Sequence, residues 1–296
     1  MKNSICFLYL FILIFTSVKA QKPITLTPDS VKIGKTRIPG FSVTIPEVKL
    51  EALKASWVKT IEKGTKSKAI VDNNDITVFG AIIPNYEGGA VNIMSKASEQ
   101  DSLCSLFVCF ETKPDVYIGK VSPEYDRLSK FLKKFAKEQY IIVAKNQLLA
   151  ENDKLSELEK QLKSERKSTD KFKKNIQSAD VNIEAERDKI SGFEKEIEVT
   201  NSSIESISSS ISSMDDGDAK KAKKSELKKL ENKKKGLLKS INSSENKISK
   251  ANTAIEDNNS NIVLKEATLK DLNERIVQQK LVITRFETKL ETIENY

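Results

Sequence analysis

The chain of 296 residues is 38% hydrophobic, 31% charged and 6% aromatic, and 50 Lys and Arg against 42 Asp and Glu give a formal charge of +8. It contains no histidine, which excludes imidazole-based serine and cysteine triads, histidine zinc sites and the commonest proton shuttle. The basic excess is mild; it permits contact with anionic lipid or polysaccharide, but no nucleic-acid-binding motif accompanies it and no nucleic-acid partner is expected.

Lys2 precedes an unbroken apolar run from Ile5 to Ile14, and the segment closes on Val18, Lys19 and Ala20. This pattern reads as a secretory signal peptide over residues 1–20, cleaved after Ala20, with export to the periplasm or cell surface. The rival is an uncleaved anchor, although an apolar run of about fourteen residues is short of the roughly twenty that span hydrocarbon. No later segment is apolar enough to span a membrane. Cys6 belongs to the signal, leaving Cys104 and Cys109. On one strand their separation of five aims the side chains at opposite faces, so both read as buried, inert thiols rather than a disulfide.

Residues 21–37, with Pro23 and Pro28, read as an extended leader or an edge strand, and ordered structure is expected from about Ile38. A small domain follows over residues 38–120. Phe41, Val43 and Ile45 alternate with Ser42 and Thr44, the period of a strand with one buried face. Thr44 and Pro46 signal a helix start. Leu50, Leu53, Trp57 and Ile61 mark its apolar stripe, and Gly64 supplies the left-handed stop. Strands are then expected over Ala69 to Val71, Ile76 to Ile83, Ala90 to Met94 and Leu103 to Phe110, joined by turns at Asp72-Asn73-Asn74-Asp75 and Glu87-Gly88-Gly89. The last is apolar on both faces and should be central. Asp29-Ser30-Val31 and Asp101-Ser102-Leu103 match a short bacterial O-glycosylation pattern, a weak signal.

Residues 121–296 read as a helical coiled-coil hairpin. Ser122, Pro123 and Glu124 make a helix start, with serine as the cap. Leu128, Phe131, Leu132 and Phe135 form a broad stripe that docks this helix on the small domain. A seven-residue register then runs through Ile141, Leu148, Leu155, Leu162, Thr169, Ile176, Ile183, Ile190, Ile197, Ile204 and Ile211. Glu151, Glu165 and Glu186 stand at companion positions and weaken the seam. A second tract repeats the pattern from Leu227 to Leu290, with Asn252, Asn258, Lys265 and Gln279 as polar positions that either fix register or mark where a partner helix or client adds its surface. Between the tracts, Asp216, Gly217 and Asp218 form the turn, Gly217 taking a positive φ and Asp218 capping the second helix, in a tip spanning residues 214–219. At about 1.5 Å per residue, arms of about 75 residues reach on the order of 110 Å, more than an active site requires.

The fold expected is therefore α+β: a small two-layer N-terminal domain, one helix on an antiparallel sheet, followed by a long antiparallel α-helical coiled-coil hairpin. No catalytic, cofactor-binding or metal-binding residue is identified, because paired carboxylates, a glycine-rich phosphate loop and metal-ligand spacings are all missing. The candidate interaction residues are Lys220, Lys221, Lys223, Lys224, Lys228 and Lys229 beside the tip, where basic residues crowd; the competing account is a solvated face offset by Glu184, Glu186, Glu194, Glu196 and Glu198 on the other arm. The serine-rich run before the turn has poor helix propensity and is expected to fray. These features point to an exported, non-enzymatic interaction or structural protein whose hairpin spaces a small domain and a basic tip. Its expected partner is an envelope protein or an anionic surface polymer, and the heptads allow a homodimer. The alternative is a periplasmic holdase-type chaperone; an enzyme acting through carboxylates or lysines alone is the weakest reading.

Overall fold

The computed structural model describes residues 23–33, 36–101 and 103–295. The expected signal peptide, Cys6 and Ser102 lie outside these residues. Among them the chain runs β1 (Thr25–Ile33), β2 (Thr36–Pro46), α1 (Leu50–Ile61), β3 (Ile70–Asp72), β4 (Asp75–Ala81), β5 (Val91–Gln100), β6 (Leu103–Lys113), β7 (Val116–Tyr117), α2 (Tyr125–Ser212) and α3 (Asp218–Glu294). The α+β class is as expected: an antiparallel sheet with one helix, then two long helices paired as a hairpin. No described helix is long and apolar enough to cross a membrane. The chain divides into two compact units, one of residues 1–154 and 279–296 and the other of residues 155–278. That division differs from the expected boundary between residues 120 and 121, because both ends of the hairpin belong to the core of the first unit.

In the first unit the strands take the order β1-β2-β6-β5-β4-β3, with β7 beside β6. Strand β6 is central, as its two apolar faces imply. Its register sets Phe41, Val108, Ser95 and Ile76 in one row across four strands, and Phe110, Ile93 and Val78 in another. These residues are buried and form the inner face of the sheet. Against it pack Leu53, Trp57 and Ile61 of α1, Leu128, Leu132, Phe135, Ala136, Tyr140 and Ala144 of α2, and Ile293 of α3. The Trp57 indole donates to Ser95 Oγ at 2.8 Å, and that hydroxyl donates in turn to the Ile76 carbonyl at 2.9 Å. The one polar atom of the ring is thereby satisfied inside an apolar layer.

Three local expectations are corrected. Strand structure begins at Thr25, ahead of Ile38, because β1 pairs along its length with β2 as an edge strand, where Pro28 is tolerated. Helix α1 begins at Leu50 and not near Thr44 or Pro46; β2 continues through Pro46, and the Lys49 carbonyl accepts the first helical bond, from Leu53 N–H at 2.9 Å. Ser122 does not cap α2, since its hydroxyl accepts instead from Gly119 N–H at 3.0 Å. The stop after α1 is as read: Gly64 has φ 79°, a conformation that side-chain-bearing residues rarely adopt.

The second unit pairs α2 with α3 in antiparallel fashion. Along it Leu155, Leu162, Thr169, Ile176, Ile183, Ile190, Ile197, Ile204 and Ile211 are all half-buried or buried. Val181, off the seam, is 69% exposed. The carboxylates that weaken the seam in isolation are matched across it. Glu165 meets Lys265 at 2.7 Å, and Glu186 accepts from Lys247 at 3.3 Å and from Ser244. In the first unit Gln279 donates to Glu151 Oε2 at 2.8 Å by the same geometry. Glu151, Glu165 and Glu186 therefore each face a donor on α3, and a shift along the helix would strand both partners. Reversing Glu165 to lysine should destabilise the second unit by about 1 kcal/mol, and adding Lys265→Glu should restore most of the loss. A urea-denaturation double-mutant cycle measures this; additive losses would show that the pair sets no register.

Hydrogen bonds from Lys189 and Ser244, with Lys247 alongside, outweigh the cost of burial and hold the Glu186 carboxyl down to about 2, from an ordinary 4.5. A depressed carboxyl stabilises the fold fully above its unfolded value and loses that contribution as pH falls through the folded one. Helicity of the second unit should therefore weaken between about pH 4.5 and 2, and Glu186→Gln should flatten that part of the acid titration followed by circular dichroism. An unchanged profile would contradict it.

Candidate functional site

Lys220 donates to the Met214 carbonyl at 3.0 Å and pairs with Asp216 at 3.0 Å, so it closes the turn instead of projecting from it. Lys221 lies 3.6 Å from Asp218, and Lys223 lies 3.1 Å from Glu226. Lys224, Lys228 and Lys229 are exposed and make no ion pair among the described residues. Half of the basic set is thus offset by local acids, and three adjacent lysines on one face of α3 remain available. Of the opposing carboxylates, Glu196 reaches Lys233 at 3.8 Å and Glu186 reaches Lys247, whereas Glu184 pairs with Arg187 on its own helix at 2.6 Å.

The turn is built differently from expectation. Gly217 does not adopt a positive φ. Its carbonyl accepts from Lys221 N–H at 3.2 Å, which makes Gly217 the cap position of α3 and Asp218 its first residue. Helix α2 stops at Ser212 through tight bonds from Ser213 to Ser210 and from Met214 to Ile211. The serine-rich run is helical through Ser212. Ser202, Ser203 and Ser212 return their hydroxyls to the carbonyls of Glu198, Val199 and Ser208, so these polar groups are spent within the helix.

A second surface, in the first unit, was not singled out in the sequence. It is an open cleft of about 660 Å³ bounded by α1, the loop before β5 and the opening turns of α2. Lys59 stands in the last turn of α1 and Lys63 just beyond its end, and Arg127, Lys130 and Lys134 follow one another along α2. Its apolar lining comes from Ile83, Pro84, Leu128, Phe131 and Phe135. Phe131 and Phe135 are positioned by Trp57, with ring centroids 6.0 and 4.9 Å from it. Tyr86 closes one side, its ring lying over Gly88, where a Cβ would collide with it. Burial, reinforced by Glu124, pushes the Tyr86 phenol above its ordinary value, which keeps it a neutral hydroxyl. Glu87 pairs with Arg127 at 3.3 Å; Lys59, Lys63, Lys130 and Lys134 are exposed and make no ion pair among the described residues. The signal in the sequence was the helical spacing of the cations beside the apolar stripes.

A polar node ties the loop after β2 to both helices at the base of the hairpin. Glu47, at φ 61°, accepts from Lys289 at 2.6 Å and from Gln147 at 2.9 Å. Burial raises this carboxyl, but the hydrogen bonds from Lys289 and Gln147 and the charge of Lys289 prevail and hold it below its ordinary value. Lys289 also lies 5.5 Å from the centroid of the Tyr140 ring. Every strong bond in the node is internal, so it fastens and does not solicit a ligand.

Cys104 and Cys109 are free and buried, and burial pushes both thiols up to about 11. Thiols this far from ionising are poor nucleophiles. Among the described residues no three acidic or thiol side chains are grouped to hold a metal ion. No protein-family model matches the chain, and a search of curated proteins finds no match.

Proposed function

We propose that this chain is an exported, non-enzymatic interaction protein in which the coiled-coil hairpin acts as a spacer, offering a small domain and a basic tip to an envelope partner. The observation that carries the reading is the matching of polar seam positions: Glu165 with Lys265 and Glu186 with Ser244 and Lys247. Polar pairs at seam positions favour a single alignment of the two helices, which suits a scaffold more than a catalyst. The segment from Lys2 to Ala20 supports export, and Lys224, Lys228 and Lys229 support an anionic surface as partner.

The test is a crosslinked pull-down of the mature protein from its native cell envelope, with partners identified by mass spectrometry. One stoichiometric partner supports the reading. Capture of many unfolded envelope proteins would instead mean a holdase, and no capture at all would overturn it. Sedimentation of the purified chain reports whether the hairpins pair into a dimer.

A further inference from the structure

We propose that the cleft between α1 and α2 is a binding groove for an acidic peptide segment that carries apolar side chains between its carboxylates. This deepens the proposed function, resting on it for the existence of a protein partner and adding where that partner binds and by what chemistry.

The argument starts from charge. Five cations and two carboxylates line the cleft, and one of those carboxylates, Glu87, is paired with Arg127. The lysines left without an ion pair stand on two sides, Lys59 in the last turn of α1 with Lys63 just beyond it, and Lys130 and Lys134 on α2. A ligand lying between them meets positive charge from both walls, the arrangement that concentrates an anionic partner and speeds its arrival.

The type of cation narrows the class. Rigid bidentate recognition of phosphate or sulfate favours the planar fork of arginine, and the one arginine of the cleft is already occupied by Glu87. Lysines are flexible point charges, suited to carboxylates whose spacing along a peptide is not fixed in advance. Between the walls the apolar surface open to a ligand comes from Pro84 and Phe131, with Ile83 and Leu128 buried beneath. A bare anionic polymer would leave that surface wet, whereas an apolar side chain between two carboxylates would cover it. The cleft's volume of about 660 Å³ accommodates several side chains.

The experiment is fluorescence anisotropy of the full mature chain with a fluorescein-labelled peptide of alternating glutamate and phenylalanine. Salt-sensitive binding is expected, and Lys59→Glu with Lys134→Glu should weaken it by about tenfold, the sum of two exposed charge reversals. The neutral pair Lys59→Gln with Lys134→Gln should weaken it less, and unchanged Trp57 fluorescence in both confirms that the domain is folded. Lys224→Glu with Lys228→Glu at the tip should leave binding unaltered. Polyglutamate binding as tightly as the mixed peptide would overturn the role of the apolar lining, and stronger competition by a sulfated polysaccharide or by anionic vesicles would overturn the peptide class. If the envelope pull-down yields one partner and the cleft variant still captures it, the groove is refuted while the interaction reading stands. If the wild type captures none, that reading fails first.

Discussion

Replacing Ile183 with aspartate is expected to open the second unit around that position, with a drop in far-UV helicity and a loss of amide protection on both helices. Ile183 is 5% exposed in the seam. Truncating a buried aliphatic side chain costs about 2–5 kcal/mol, and an unpaired carboxylate in its place adds a desolvation cost. Val181 provides the control, because it stands two residues away on the same helix and is 69% exposed. Val181→Asp should change stability by no more than about 0.5 kcal/mol. Equal effects at the two positions would mean that the seam is not what holds the helices together.

Trp57→Ala should destabilise the first unit by about 3–5 kcal/mol, the usual cost of removing a large buried aromatic. The change removes the donor to Ser95 and the support beneath Phe131 and Phe135, so the sheet, α1 and α2 are all affected. Far-UV circular dichroism is dominated by the long helices and would understate the loss. Hydrogen exchange across β4 and β5 is the appropriate measurement, and Trp57→Phe, which keeps most of the packing, should lie between. Native protection of these strands in the alanine variant would place the core elsewhere.

What could be read from the residues depended on how far apart the interacting groups lie. The heptads were legible because their period repeats over many turns, and β6 because eight consecutive residues, Leu103 to Phe110, are mostly apolar. Glu151, Glu165 and Glu186 were each visible as interruptions, but their acceptability depends on Gln279, Lys265 and Ser244, which only the folding-back of the chain brings opposite. Local punctuation misleads at Pro46 and Gly217, as it does at Ser122. Pro46 ends a strand where it was taken to help start a helix, and Gly217 opens α3 where it was taken to end α2. The cleft was hidden for a different reason. Lys63 and Arg127 are remote in the chain, and they line one cleft only because Phe131 and Phe135 pack on Trp57.

Ile293 is wholly buried in the same core as Phe41 and Trp57. During synthesis the strands can pair as soon as β6 has emerged, yet the slot that this isoleucine fills stays vacant until the final turn of α3 has been made. The core beneath the sheet is therefore complete only when both ends of the hairpin are present. A chain that stops before this turn carries an unfilled apolar gap in its small domain and a Glu47 carboxylate that keeps Gln147 but lacks Lys289. The last turn of α3 thus reports on the packing of strands that precede it by some two hundred residues.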